Sequence, residues 1–249
     1  MGKYPEEIYL SQETDNRPSF LRFLCPLLFL FMITAADAQQ KFNIVDFLYG
    51  ADPLLVNGRY YSFFPPPNTE GNQYLEDPQF KTGSLTLRGK TWSGLMLNYD
   101  IYNQQVLMAF RNKTGADNLI VISDAWLEKF SIMGMTFEIM PLQDTVKRII
   151  QIIGSGPVRI GYLWQKDLKP DSFHGARYYS FSSPRKENLI LEGDRVVRYL
   201  NNRTFCAALD EKKRKAAREY LDKNRIKVRN ADDRTMKALL DFYNSTAEK

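Results

Sequence analysis

Between residues 58 and 165 short runs of β-branched and aromatic residues recur, each closed by Gly, Asn, Asp or Pro. No other feature constrains the fold as much, because runs of this length and punctuation predict the strands and turns of an antiparallel meander. Strands are expected at 59–63, 84–88, 91–95, 97–102, 106–110, 119–123, 127–132, 135–139, 149–153 and 158–164. Gly89-Lys90 and Asn103-Gln104 read as hairpin connections, Gly134 as a turn, and Gly154-Ser155-Gly156-Pro157 as the clearest hairpin of all. Leu95, Leu97, Tyr99 and Ile101 form one apolar face, while Met96, Asn98, Asp100 and Tyr102 form a mixed one. Pro65-Pro66-Pro67 forbids ladder hydrogen bonds, so 64–77 is expected to be a surface loop. Residues 166–175 read as a polar loop, followed by a strand pair, 177–181 with 188–191.

The period then changes. Asp194 is placed to cap a short helix holding Val197 and Leu200, and Asp210 to cap a second one reaching about Asn224. Leu209, Ala216, Ala217, Tyr220 and Leu221 supply apolar surface for it to bury, and residues 225–229 link it onward. Met236, Leu239, Leu240 and Tyr243 fall on one face of a terminal helix beginning near Asp232. The fold class expected is α+β: mainly an antiparallel meander, as a curved sheet, roll or half-barrel, with a C-terminal helical segment packed on it. The expected divisions are 1–38, 39–191 for the β-rich domain and 192–249 for the helical segment.

Residues 1–38 are assigned to an N-terminal extension and a secretory signal. Arg22 supplies the positive flank, 23–33 the apolar run and Ala36-Asp37-Ala38 the small-x-small pattern of a cleavage site. The apolar run 23–33, interrupted by Pro26, is short of the roughly 20 residues that span a bilayer. Cleavage after Ala38 is therefore expected, leaving no transmembrane span. It removes three basic and five acidic side chains, so the formal charge moves from +5 to +7. Cys206 is then the one remaining cysteine, which precludes an internal disulfide and reads as a small buried apolar residue.

The run 83–90, GSLTLRGK, followed by 97–104, LNYDIYNQ, resembles a family of uncharacterised exported proteins of Gram-negative bacteria. Their β-rich body carries a helical end similar to 220–224, YLDKN, and 239–244, LLDFYN. The resemblance implies a periplasmic or cell-surface location and carries no activity or site residue.

Catalytic signals are sparse. His174 is the only histidine, lies in a polar loop and has no nucleophile elbow nearby, and with Cys206 it cannot fill a tetrahedral metal site. No cofactor is called for. Asp100, Asp124, Glu128, Glu138 and Asp144 could include the two carboxylates of a hydrolase, although exposed strand carboxylates are the simpler reading. For binding, the aromatics around the proline run stand out, and Tyr61, Phe64 and Tyr74 are the candidate ligand-binding residues, with Tyr74 the least committed to a core. Residues 210–229 hold nine basic and four acidic side chains, and Lys212, Lys213, Lys215 and Arg218 are the candidate basic surface, suited to anionic lipid or another acidic envelope polymer. Export argues against nucleic acid as a partner. The expected function is therefore a non-catalytic envelope protein that binds an apolar ligand, a glycan, a lipid or a partner protein. A carboxylate-dependent hydrolase of envelope polymer and a structural assembly component are the alternatives.

Overall fold

The computed structural model describes residues 54–55, 58–111, 115–142, 146–170 and 178–245. Residues 1–38, assigned above to an extension and an expected signal, and with them Cys25, together with His174 and Asp144, lie outside the described residues. The strands are β1 (Arg59–Tyr60), β2 (Thr69–Glu70), β3 (Lys81–Leu87), β4 (Lys90–Asp100), β5 (Gln105–Arg111), β6 (Asp117–Val121) and β7 (Leu127–Ile132), then β8 (Met135–Pro141), β9 (Lys147–Ile153), β10 (Val158–Gln165), β11 (Leu168–Pro170), β12 (Tyr179–Phe181), β13 (Arg185–Glu192) and β14 (Arg195–Tyr199). Helices α1 (Asn202–Ala208), α2 (Glu211–Lys223) and α3 (Asp233–Ser245) follow. The fold is α+β, as expected. Eleven strands form one open antiparallel sheet in the order β1-β6-β5-β4-β3-β7-β8-β9-β10-β13-β14, and β11-β12-β2 form a second, small sheet.

The hairpins fall where the turn residues put them, with one fusion. The two strands expected at 91–95 and 97–102 are one strand, β4, because Gly94 at φ +77° takes up an extra residue as a bulge opposite Gly83 and Ser84. Four expectations are corrected. Val197 lies in β14 and not in a helix: Gly193, at φ +55°, closes a hairpin in which β-branched Val196 and Val197 pair with Leu191 and Ile190. Leu200 is left 71 % exposed, and α1 starts only after Asn201, whose side chain and that of Thr204 form a capping box. The segments 177–181 and 188–191 do not pair. β13 instead makes eight consecutive pairs with β10, while the three-residue β12 joins β11 and β2. Segment 64–77 is only partly surface: β2 lies in it, and Gln73, Tyr74 and Leu75 are buried. The β3 ladder reaches only Lys81↔Leu97, so the end of β4 is paired instead by Leu75 N–H donating to Tyr99 O (3.0 Å) and Ile101 N–H to Gln73 O (3.1 Å). Within 166–175, residues 168–170 form β11 and Lys166 is buried.

One row of opposed residues runs across eight strands on the inner face: Trp92, Leu85, Phe130, Phe137, Gln151, Tyr162, Asn188 and Tyr199. On the Trp92 side of Gln151 the row belongs to a core closed by stacked Phe130 and Phe137, centroids 4.6 Å apart. Beyond it the helices cover Ile153, Ile160, Tyr162 and Tyr199 with Phe205, Leu221, Met236, Leu239 and Leu240. Gln151 is where the sheet divides. β9 pairs with β8 through 147–151 and with β10 only through 151–153, so the strands splay on both sides of this residue. The Gln151 amide holds the division by accepting from Trp164 Nε1–H (2.7 Å) and donating to Asp233 Oδ2 (2.6 Å).

Helices α2 and α3 match the sequence reading. Asp210 caps α2 by accepting from Lys212 N–H (2.8 Å), and Met236, Leu239, Leu240 and Tyr243 are the buried residues of α3. The link between them is tied down by Asn202, which donates to Ile226 O (2.7 Å) and accepts from Val228 N–H (2.9 Å). Cys206 is buried and free, and burial pushes its thiol up.

Candidate functional site

At the β4–β5 turn, Asp100 is 0 % exposed and carries four hydrogen bonds. Its Oδ1 accepts from the backbone N–H of Tyr102 (3.0 Å) and Asn103 (2.8 Å), and its Oδ2 from Tyr61 Oη–H (2.7 Å) and Asn103 Nδ2–H (2.7 Å). A carboxylate satisfied in this way can be buried, because two donors for each oxygen replace its water. This corrects the reading of Asp100 as an exposed strand carboxylate. Gln73 Nε2–H donates to Tyr61 Oη (3.0 Å), and Lys166 donates to Asn72 O (2.9 Å) and Tyr74 O (2.6 Å). Burial raises the Tyr61 phenol, reinforced by Asp100, and the same desolvation lowers the Lys166 ammonium. Together these contacts join the proline-run segment, the β4–β5 turn and the end of β10 into one stiff corner.

The three aromatic candidates separate here. Phe64 is 83 % exposed, and Tyr60, in β1, 73 %. Tyr61 is half-buried and works as a donor to Asp100. Tyr74 is only 8 % exposed and packs with Leu107, Val121, Phe80 and Leu119 on the outer face of the sheet. It is thus a core residue, held there by the Asn72 side chain accepting from its N–H (2.9 Å) and by its bridge to Asp100. Half-exposed rings from three separate segments meet at Phe63, the residue before Phe64: Phe63 lies 5.5 Å from Tyr102, and Tyr102 lies 5.4 Å from Phe181, edge to face. Tyr102, Phe181 and Lys166 were not singled out from sequence. The pattern Asp100-x-x-Asn103 after an alternating strand was the available signal for the turn; nothing local marks Phe181 or Lys166, which arrive from elsewhere in the chain.

The basic helix is less uniform than its composition. Lys212, Lys215 and Arg218 are exposed, but at 100° per residue they share that face with Glu219 and Asp222. Lys215 approaches Glu219 at 4.0 Å. Lys213 turns inward, its ammonium 5.0 Å above the Tyr243 ring. Arg214 donates to the carbonyls of Cys206 (3.0 Å), Ala207 (3.2 Å) and Leu209 (3.3 Å), closing the end of α1.

The remaining candidate carboxylates are dispersed. Glu128 accepts from Gly89 N–H (3.0 Å) at the β3–β4 turn, and Asp124 lies between β6 and β7. Glu138 shares a cleft with Asp233, yet each is already engaged, Glu138 by Arg159 (2.8 Å) and Asp233 by Gln151. Among the described residues no three His, Cys, Asp or Glu side chains converge as a metal site, and no helix is long and apolar enough to cross a membrane. Comparison with family models, with curated proteins and with solved structures finds no match to this chain.

Proposed function

We propose that this chain is a non-catalytic, exported protein of a Gram-negative cell envelope, and that its aromatic corner docks a partner protein. The observation that carries the reading is Phe64, a large ring left 83 % exposed beside a ring cluster whose backbone is held by a buried carboxylate. An exposed ring on a rigid base binds without a large ordering cost, and aromatic anchors of this kind dominate protein interfaces. The cluster rings are mutually tilted, by 43° for Phe63 with Tyr102 and 79° for Tyr102 with Phe181, an irregular apolar surface of the kind that the core of a protein interface buries. The corner also adjoins β1, which among the described residues is an edge strand of the main sheet and offers main-chain groups to a partner strand. The signal-like residues 21–38 support export.

The test places a photo-crosslinking residue at exposed Pro67 and irradiates cells of the native host. One discrete protein adduct is expected, and it should vanish when Phe64 is also changed to Ala. An adduct that survives Phe64→Ala, or none at all, overturns the proposal; native mass spectrometry showing a retained saccharide would replace the protein with a glycan.

A further inference from the structure

The division of the sheet at Gln151 leaves a cleft. Past the Phe137↔Gln151 pair, β8 and β9 no longer bond, so the β7–β8 turn at Gly134 and the β9–β10 turn at 154–157 stand apart. The space between them is about 770 Å³, within the range of small-molecule sites. Its lining combines Met135, Ile152 and Ile153 with charged side chains from β7, β8, β10 and the first turn of α3.

Those charges do not cancel. Four cations, Lys129, Arg159, Arg234 and Lys237, face two carboxylates, Glu138 and Asp233. Arg159 is taken by Glu138 at 2.8 Å and Lys237 by Asp241 at 2.6 Å, while Asp233 accepts from the neutral Gln151 amide and keeps its negative charge. Lys129 and Arg234 are left without an ion-pair partner among the described residues, one on β7 and one on α3. Two cations against the one carboxylate without an ion pair, Asp233, leave the lining a single net positive charge beside apolar side chains, which complements an anion that has an apolar body, and the Arg fork suits carboxylate and phosphate oxygens alike.

We infer that this cleft is a binding site for a small organic anion bearing carboxylate or phosphate groups, with Arg234 and Lys129 as its anion-binding side chains. The site is separate from the aromatic corner and stands or falls independently of it. The test titrates the full chain, ¹⁵N-labelled and at fixed ionic strength, with citrate in one arm and pyrophosphate in the other. Saturable shifts are expected at the amides of Gly134, Gly154 and Gly156, and the arm that binds more tightly identifies carboxylate or phosphate as the preferred group. Arg234→Gln and Lys129→Gln should each weaken binding at least tenfold, and both residues are exposed, so thermal unfolding of the variants should match that of the parent. Lys215→Gln on α2 should have no effect. Shifts absent from the three glycines in both arms, or binding weakened equally by Lys215→Gln, would overturn the assignment.

Discussion

Replacing the buried Asp100 with alanine removes two acceptor oxygens that together take four hydrogen bonds, and the consequence can be worked from the contacts. Two backbone N–H groups, the Tyr61 hydroxyl and the Asn103 amide all lose their partner. Hydrogen bonds to a charged group contribute roughly 1.5–3 kcal/mol each, but the four share one carboxylate, and deleting that group also relieves its own desolvation. The net loss should therefore stay well below the sum of the four, at about 3–4 kcal/mol, the range of a substitution that leaves several buried donors without an acceptor. With a urea slope of about 2 kcal/mol/M, the unfolding midpoint should fall by about 1.5–2 M. Asp100→Asn tests the account further: its Oδ1 still accepts from Tyr102 and Asn103 N–H, while its amide confronts the Asn103 amide donor to donor, so about half the loss is expected. Amide exchange locates the effect, since Tyr102 and Asn103 N–H should lose protection in Asp100→Ala before the rest of the sheet does. A loss below about 1 kcal/mol for Asp100→Ala, or unchanged protection at Tyr102 and Asn103, would refute the claim that this carboxylate organises the corner.

Two further outcomes follow from burial. Tyr99, Tyr162 and Tyr199 are held above the ordinary tyrosine value of 10.0, in each case chiefly by desolvation. The unfolded chain releases these protons first, so their contribution is complete below about pH 10 and is lost above it at about 1.4 kcal/mol per pH unit for each phenol. Lys166 and Lys186, lowered by burial, act with the opposite sign between their folded value and about 10.4, and are outnumbered. The tyrosinate absorbance of these buried rings and circular dichroism should therefore change together in an alkaline titration; full ionisation with the sheet intact would contradict this. Leu239→Ala, at a fully buried site between α3 and the sheet, should cost about 2–5 kcal/mol in a urea titration, and a loss under 1 kcal/mol would mean that α3 does not pack as described.

Much of the fold was legible because its signals are local. β7 begins and ends where its run of apolar and polar residues does, α2 begins after Asp210, and the stripe of Met236, Leu239, Leu240 and Tyr243 is the stripe that α3 buries. Turn chemistry and side-chain period act over a few neighbours and can be read from them. Pairing is different. That β3 lies beside β7 and that β13 bypasses β12 to reach β10 depend on partners tens of residues away, whereas Val196 and Val197 extend a sheet through a local hairpin at Gly193. The same distance hid the site. Tyr74 reads as a loop residue until β4 needs a partner for its last turn, and Asp100 reads as a surface carboxylate until Tyr61 arrives to share its burial. Composition and period determined which segments extend, which coil and which face of each is apolar; the tertiary structure decided which segments meet, because the free energy of burying a charge or an aromatic ring is set by the groups that surround it.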